Sequence, residues 1–182
     1  MDVKTGKLDG LLVIKPEVFQ DRRGCFFESY HLKRYSEAGL NVSFVQENES
    51  FSHRNVLRGL HFQLPPFAQG KLVRVIRGAV LDVALDLRKN SPTYGLAETI
   101  VLSENNKLQL WIPPGFAHGF LTLEDDTLFL YKCTDYYNKE SECAILWNDP
   151  DLDIPWNIEN PVVSDKDNQA MLFKDFKSPF LK

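Results

Sequence analysis

The sequence predicts an all-β fold, because short apolar–polar alternations recur along the chain with turn-forming residues between them. The clearest case is the segment 81–87, LDVALDL, in which leucine or valine occupies every second position. This two-residue period is typical of a strand, whose successive side chains point to opposite faces of a sheet. Turn-forming stretches such as Pro65-Pro66 and 89–92 separate these segments. Many short strands with turns between them indicate a sandwich or barrel.

Other predicted strands share this alternation or are rich in β-branched and aromatic residues. They lie at 11–14, 24–29, 43–50, 72–77, 98–102, 108–112, 127–131 and 144–147. One helix is predicted at 32–38, where Gly39 can supply a left-handed cap, and a shorter helical stretch begins near Ser164. The chain contains no internal repeat and no Gly/Ser/Pro-rich linker. We therefore expect one domain over residues 1–182.

Composition and charge narrow the class of protein. The chain has 182 residues with 43% hydrophobic residues, which argues against a disordered or fibrous protein. Its formal net charge of −4 provides no basic field, so neither nucleic acid nor an anionic membrane is an expected partner. The three cysteines are widely and irregularly spaced, which favours a reducing compartment over a disulfide framework. The first residues resemble neither a signal peptide nor a membrane span, so we expect a cytoplasmic protein.

The four histidines can be weighed one by one. His31 and His53 lie among polar residues, where a solvated role is expected. His61, in RGLHFQ, is flanked by two apolar residues, so it is either a core histidine or a partly buried functional one. His118 follows the turn-forming stretch PPGFA, which would aim its side chain toward the mouth of a barrel. His61 and His118 are therefore the candidates for chemistry.

The stretch PPGFAH resembles the second signature of the cupin superfamily, whose fold is a small jelly-roll barrel. This resemblance implies a cupin-type barrel with one or two short peripheral helices. The first cupin signature supplies His-x-His and a glutamate, but the corresponding RGLHFQ has a single histidine. A divalent metal needs more nitrogen or carboxylate ligands than remain. We therefore expect no bound metal.

Within the cupins, the chain resembles the dTDP-4-dehydrorhamnose 3,5-epimerase family. The likeness runs through nine segments in order: DRRGCFFES, FVQENES, VLRGLHFQ, QGKLVRV, SPTYG, WIPPGFAHGF, YKCTDYYNKESE, ILWNDP and SDKD. It implies epimerisation at C3 and C5 of dTDP-4-dehydro-6-deoxy-D-glucose, giving dTDP-4-dehydro-L-rhamnose. Such an enzyme removes a proton next to the C4 ketone and returns one from the opposite face. No cofactor is expected, and the chain lacks the G-x-G-x-x-G dinucleotide motif.

The resemblance assigns four catalytic residues. His61 is the base, Asp167 orients its ring, Tyr131 is the acid on the opposite face, and Lys71 stabilises the enolate oxygen. The residues themselves leave alternatives open. Asp167 also fits a helix-capping box that begins at Ser164. Tyr131 could be a core residue, and Lys71 could lie along the rim with its ammonium group in water.

The resemblance also assigns the substrate contacts and the partners. Arg23 and Arg58 correspond to diphosphate contacts, and Tyr137 to a residue that stacks near the nucleotide base. Further ligand contacts are Lys71, Glu28, Gln46, Asn48, His118 and Glu142. The expected substrate is a thymidine-diphosphate-linked 4-keto sugar. A homodimer is expected, in which Arg23 and Glu28 serve the neighbouring subunit's site.

Other functions fit parts of the same pattern. One is a single-site 3-epimerase, or a 3,4-ketoisomerase, of another nucleotide-linked 4-keto sugar. A second is a cupin that binds a sugar or nucleotide without catalysis. A third is a metal-dependent dioxygenase or isomerase. Deuterium exchange, replacement of His61 and metal analysis distinguish these possibilities.

Overall fold

The computed structural model describes residues 1–182, which form mainly short strands. The strands are β1 (Asp2–Thr5), β2 (Leu12–Lys15), β3 (Phe19–Asp21), β4 (Gly24–Phe26), β5 (Gln46–Ser52), β6 (Val56–Gln63), β7 (Lys71–Arg77), β8 (Ala79–Asp86), β9 (Ala97–Ser103), β10 (Gln109–Ile112), β11 (Phe116–Thr122), β12 (Thr127–Cys133), β13 (Glu142–Ala144) and β14 (Val162–Val163). The helices are α1 (Leu32–Glu37), α2 (Asp165–Asn168) and a 3-10 turn at Phe173–Asp175.

Two six-stranded sheets form the body of the molecule. The first sheet has the order β1-β2-β10-β7-β12-β5, and the second has the order β13-β6-β11-β8-β9, with β14 pairing in parallel with β6. No strand pairing joins the two sheets into a closed barrel, and β3–β4 forms a separate hairpin. The prediction of an all-β, cupin-like fold is confirmed. The strand predicted at 144–147 was wrong, since β13 covers Glu142–Ala144 and the chain then turns.

The core lies in two layers. The first fills the space between the sheets and includes Val73 and Phe129 from the first sheet and Ala84 and Phe120 from the second. The second layer lies on the outer face of the second sheet, where the C-terminal segment covers it with residues such as Trp156. Both faces of the second sheet are therefore buried. As a result, polar residues on β8 that alternate with leucines face the interior of the sandwich.

A β-bulge on β6 sets the direction of the residues that matter most for the site. On β11, His118 pairs with His61 and Phe120 pairs with Arg58, so two residues of β6 lie opposite one residue of β11. Without the extra residue, Arg58 and His61 would point to opposite faces; with it, both point inward. Gly59 makes this possible, because its φ is +138° and a Cβ there would lie 2.5 Å from the Cα of Gly119.

The two α-helices are short, and the predicted Gly39 and Ser164 lie at their ends, whereas the cap at His31 was not predicted. His31 caps α1, and Gly39 follows it with a φ of +94°. Ser164 caps α2, since its side chain accepts a hydrogen bond from the main-chain N–H of Asp167. α1 has only six residues, and no helix has the length and apolar character required to cross a membrane.

Candidate active site

A cavity of about 120 Å³ opens between the two sheets and collects most of the predicted site residues. In the first sheet, Tyr131 pairs with Asn48 and Cys133 pairs with both Gln46 and Lys71, so these side chains share the inner face. The second sheet faces them with residues of β6 and β13. The residues that line the cavity are Gln46, Asn48, His61, Phe62, Gln63, Gln69, Lys71, Tyr131, Tyr137 and Glu142.

His61 and Asp167 form a pair at one wall of this cavity. The Nε2 atom of His61 lies 2.7 Å from Oδ1 of Asp167, whose side chain is only 5% exposed. The second carboxylate oxygen accepts a hydrogen bond of 3.2 Å from the main-chain N–H of Gly59. At the same time, the N–H of Asp167 donates to the Ser164 hydroxyl at 3.1 Å. The capping and orienting interpretations of Asp167 therefore hold together: the cap fixes the residue and its carboxylate reaches the histidine.

The charge of Asp167 follows from its surroundings. Burial raises the pKa of its carboxyl group, but the hydrogen bond and charge of His61 and the Gly59 N–H outweigh burial and lower that pKa. The carboxylate is thus anionic at neutral pH. It places the proton of the neutral imidazole on Nε2, which leaves Nδ1 as the ring atom with a free lone pair.

Lys71 points into the cavity rather than along its rim. Its Nζ lies 3.4 Å from the main-chain oxygen of His61 and 6.0 Å from the centre of the Tyr131 ring. Burial lowers the pKa of this ammonium group. A half-buried ammonium group with a single, long main-chain hydrogen bond is poorly satisfied, so it is suited to bind an anionic oxygen in the cavity.

Tyr131 lies on the first sheet, across the cavity from the second sheet that carries His61. Burial, with a smaller effect of the neighbouring Cys133, raises the pKa of its hydroxyl group. The hydroxyl group therefore keeps its proton at neutral pH and can donate it. Packing against the core between the sheets holds the ring, so the core and acid interpretations of Tyr131 are compatible.

Tyr137 and Glu142 lie at the mouth of the cavity, and Lys166 contacts Glu142 from the adjoining groove. The Tyr137 hydroxyl donates to Oε2 of Glu142 at 2.9 Å, and Nζ of Lys166 lies 2.5 Å from the same oxygen. Burial raises the pKa of Glu142, but the hydrogen bonds from Lys166 and Tyr137 outweigh burial, so the net shift is downward. The sequence did not single out Lys166, because its place beside Glu142 depends on a contact between residues 24 positions apart.

Arg58 lies in a groove that adjoins the cavity. His61 and Glu142 line both spaces, and Arg58 and Lys166 add two cationic groups to the groove, whose volume is about 410 Å³. The guanidinium group of Arg58 donates to the Ser52 hydroxyl at 3.2 Å, a contact from the second sheet to the first. Two cations next to an opening suit a phosphate-containing group.

His118 occupies a different place from the barrel mouth expected for it. It is 6% exposed, does not line the cavity, and lies in the inner layer directly opposite His61 on the neighbouring strand. Its Nε2 is 2.9 Å from Oδ2 of Asp82, which is fully buried. The sequence did not single out Asp82 as a residue of this inner layer. The alternation in β8 separated it from the leucines, but nothing in the sequence showed that its face lies inside.

Arg23 and Glu28 lie away from the cavity of their own chain. Arg23 is exposed in the β3–β4 hairpin, where it pairs with Asp21 at 2.6 Å. Glu28 pairs with Arg34 beside α1. Neither residue lines the cavity that contains His61.

The arrangement can perform general acid–base chemistry. It combines a carboxylate-oriented imidazole, a protonated phenol on the facing sheet and a cationic group between them. No group of three or more His, Cys, Asp or Glu side chains is arranged to hold a metal ion. A carbon acid beside a carbonyl group would meet a base, an acid and a charge for its enolate oxygen in one cavity.

Comparison with known proteins shows which family the chain is similar to. Residues 5–175 match the family model described as dTDP-4-dehydrorhamnose 3,5-epimerase. The Shigella flexneri protein of that name is 50% identical over 176 residues, covering 96% of this chain and 97% of the relative. The Legionella pneumophila structure, dTDP-6-deoxy-D-glucose-3,5-epimerase in complex with dTDP-4-keto-L-rhamnose, has a TM-score of 0.93 at 46% identity and covers 99% of this chain and 96% of its own.

A more distant structure has a narrower activity. It is a 3'-monoepimerase from Streptomyces bikiniensis in complex with dTDP-quinovose, with a TM-score of 0.88 at 32% identity, covering 92% of this chain and 86% of its own. The match of the family model over most of the chain and the high identity to full-length relatives agree. The chain belongs to the dTDP-4-dehydrorhamnose 3,5-epimerase family.

Proposed function

We propose that this protein epimerises C3 and C5 of dTDP-4-dehydro-6-deoxy-D-glucose and yields dTDP-4-dehydro-L-rhamnose. The observation that carries the proposal is the His61–Asp167 pair at 2.7 Å in a cavity that also contains Lys71 and Tyr131. The name of the Shigella flexneri relative and the ligand of the Legionella pneumophila structure supply the substrate class.

In the reaction, Nδ1 of His61 removes the proton from the carbon next to the ketone. The electron pair of that C–H bond forms the enolate, whose negative charge accumulates on O4. Lys71 stabilises this oxygen, a contribution that is typically worth about two to three orders of magnitude in rate. Tyr131 then donates its proton to the opposite face of the carbon, which inverts it. His61 releases its proton to solvent, Tyr131 regains one, and the cycle repeats at the second carbon.

The nucleotide part of the substrate lies toward the mouth and the groove. Arg58 holds the diphosphate, helped by the nearby Lys166, and the exposed ring of Tyr137 stacks on the base. Gln46, Asn48 and Glu142 contact the nucleotide and the sugar from the cavity wall. His118 lies behind that wall, so its contribution to substrate binding comes from supporting the wall.

The active unit is a homodimer of one-domain subunits. The β3–β4 hairpin pairs with no other strand of its own chain, and Phe19 and Phe26 are 57% and 68% exposed on it. Such an apolar hairpin favours burial against a second copy. Docking there brings Arg23 and Glu28 to the neighbouring site. The three cysteines are free thiols, which suits the reducing cytoplasm.

A second candidate is epimerisation at C3 alone. The 3'-monoepimerase shares the fold at 32% identity, so this architecture can serve a single carbon. The 50% identity to a 3,5-epimerase favours the double reaction here. Incubation with the 4-keto substrate in heavy water, followed by NMR, tests both candidates. Deuterium at C3 and C5 supports the first, deuterium at C3 alone supports the second, and no incorporation contradicts both.

A further inference from the structure

The buried carboxylate of Asp82 has no assigned role, although its position is unusual. It lies on the inner face of β8 with no exposed surface. Oδ2 is hydrogen-bonded to His118 at 2.9 Å, whereas Oδ1 is buried and forms no hydrogen bond with the protein. A buried carboxylate with one satisfied oxygen carries a large desolvation cost, so it requires a compensating positive charge nearby.

Lys71 presents the complementary problem on the facing sheet. Its partly buried side chain lies in the cavity between the sheets, and its protein hydrogen bond is a single contact of 3.4 Å to a main-chain oxygen. To stabilise an enolate, it must carry its proton before the enolate forms. Burial lowers the pKa of Lys71, so a nearby anion is needed to oppose that loss of charge.

Of the titratable groups around Lys71, only one carboxylate is free to act as its counter-ion. They come from β6, β8, β11, β12 and β13 and are His61, Asp82, His118, Tyr131, Cys133 and Glu142. Burial raises the pKa values of both Tyr131 and Cys133, so neither is an anion at neutral pH. Glu142 is already paired with Lys166 at 2.5 Å. Asp82 is the carboxylate that remains.

We propose that Asp82 is a positioning residue, the buried counter-ion that keeps Lys71 protonated and directed into the cavity, with His118 holding the carboxylate in place. The inference rests on the proposed function, because it explains how the ammonium group is maintained for the enolate. It also gives His118 a part that its buried position allows. Burial lowers the pKa of His118, so its ring is neutral and donates from Nε2 to Asp82 without cancelling the carboxylate's charge.

The test compares Asp82→Asn with Glu98→Gln. Glu98, on β9, is a second buried carboxylate on the same inner face and pairs with Ala84 of β8. It accepts a hydrogen bond from the main-chain N–H of Leu8 and does not line the cavity. Trace acetylation by acetic anhydride, which attacks only the neutral amine, is followed at Lys71 by mass spectrometry across pH. In Asp82→Asn the pH midpoint of Lys71 acetylation should fall by about one pH unit or more. In Glu98→Gln this midpoint should match the wild type.

The alkaline limb of kcat/KM should move by the same amount in Asp82→Asn, with dTDP binding within about threefold of the wild type. An unchanged acetylation midpoint in folded Asp82→Asn overturns the proposal. The labelling needs no substrate, so a protein that fails to turn over the 4-keto sugar refutes the proposed function without affecting this result. If Asp82→Asn does not fold, carbon-13 NMR of the wild type decides. An ionised Asp82 carboxylate at neutral pH supports the proposal, and a protonated one overturns it.

Discussion

The imidazole of His61 and the carboxylate of Asp167 meet at 2.7 Å, although 106 positions separate the two residues in the chain. β6 supplies the histidine and the first turn of α2 supplies the carboxylate. The bulge at Gly59 turns the histidine inward, and the Ser164 cap fixes the aspartate. The pair therefore depends on two local backbone features as much as on its own hydrogen bond.

Asp167→Asn should impair both catalysis and stability. The amide removes the charge that orients the ring, so kcat should fall by about two to four orders of magnitude. The pKa of Asp167 is lowered in the fold from a value of 3.8, so the charged form stabilises the folded state above that pH and loses this effect as pH falls through the lowered pKa. Urea unfolding from pH 7 to pH 3 should show a stability deficit of the variant that shrinks in acid. A deficit independent of pH would contradict this assignment.

Tyr131→Phe should separate proton removal from proton return. The variant keeps the ring in the core but loses the hydroxyl group whose pKa is raised by burial. His61 can still exchange the substrate proton with solvent, whereas inversion should slow by about two orders of magnitude or more. The measurement compares deuterium uptake into unreacted substrate with product formed in heavy water. If uptake and inversion slow equally, Tyr131 does not act as the separate acid.

Gly59→Ala should disrupt the bulge. Gly59 has a φ of +138°, and a Cβ added there would lie 2.5 Å from the Cα of Gly119. Gly39 has a φ of +94°, but a Cβ added there meets nothing within 4 Å. Backbone strain is common to both changes, but only Gly59→Ala adds a clash. We expect it to cost at least about 2 kcal/mol more than Gly39→Ala in urea unfolding, with a much larger loss of activity. Equal losses would mean that the close approach at Gly119 is unimportant.

Mixed dimers should test the exchange of Arg23 across the interface. Arg23→Ala and His61→Asn subunits are each expected to be nearly inactive. If Arg23 serves the neighbouring site, random mixing should restore about a quarter of the wild-type activity, because half of the dimers are mixed and each has one intact site of two. Activity no higher than the sum of the parents would place Arg23 in its own subunit's site. Light scattering on the same mixtures confirms that dimers form.

The sequence predicted the fold class and both helices because these depend on local signals. The alternation in β8 marked a strand, and Ser164 and Gly39 marked helix ends. What it could not predict was which face of β8 lies inside, since both faces are buried. For that reason the sequence did not show that Asp82 is buried. The contact of Lys166 with Glu142 was not predicted either, because it depends on how α2 packs against the second sheet.

The prediction that residues distant in sequence share one site came from the resemblance to a known family and not from residue spacing. Residue patterns alone left Asp167 between a helix cap and a catalytic partner, and the structure shows that both interactions are present. Residue patterns alone also did not show whether Lys71 lies along the rim or points into the interior. That depends on how the two sheets pack against each other. His118 was assigned to the ligand, but its side chain lies in the buried layer behind the cavity.

The most direct test of the account is deuterium incorporation by His61→Asn. The wild type, incubated with dTDP-4-dehydro-6-deoxy-D-glucose in heavy water, should place deuterium at C3 and C5. His61→Asn should lower both rates by several orders of magnitude while dTDP binds within about threefold, since the base is separate from the diphosphate contacts. His53→Asn, in an exposed loop, should behave as the wild type. Exchange at the wild-type rate by folded His61→Asn would contradict the assignment of His61 as the base.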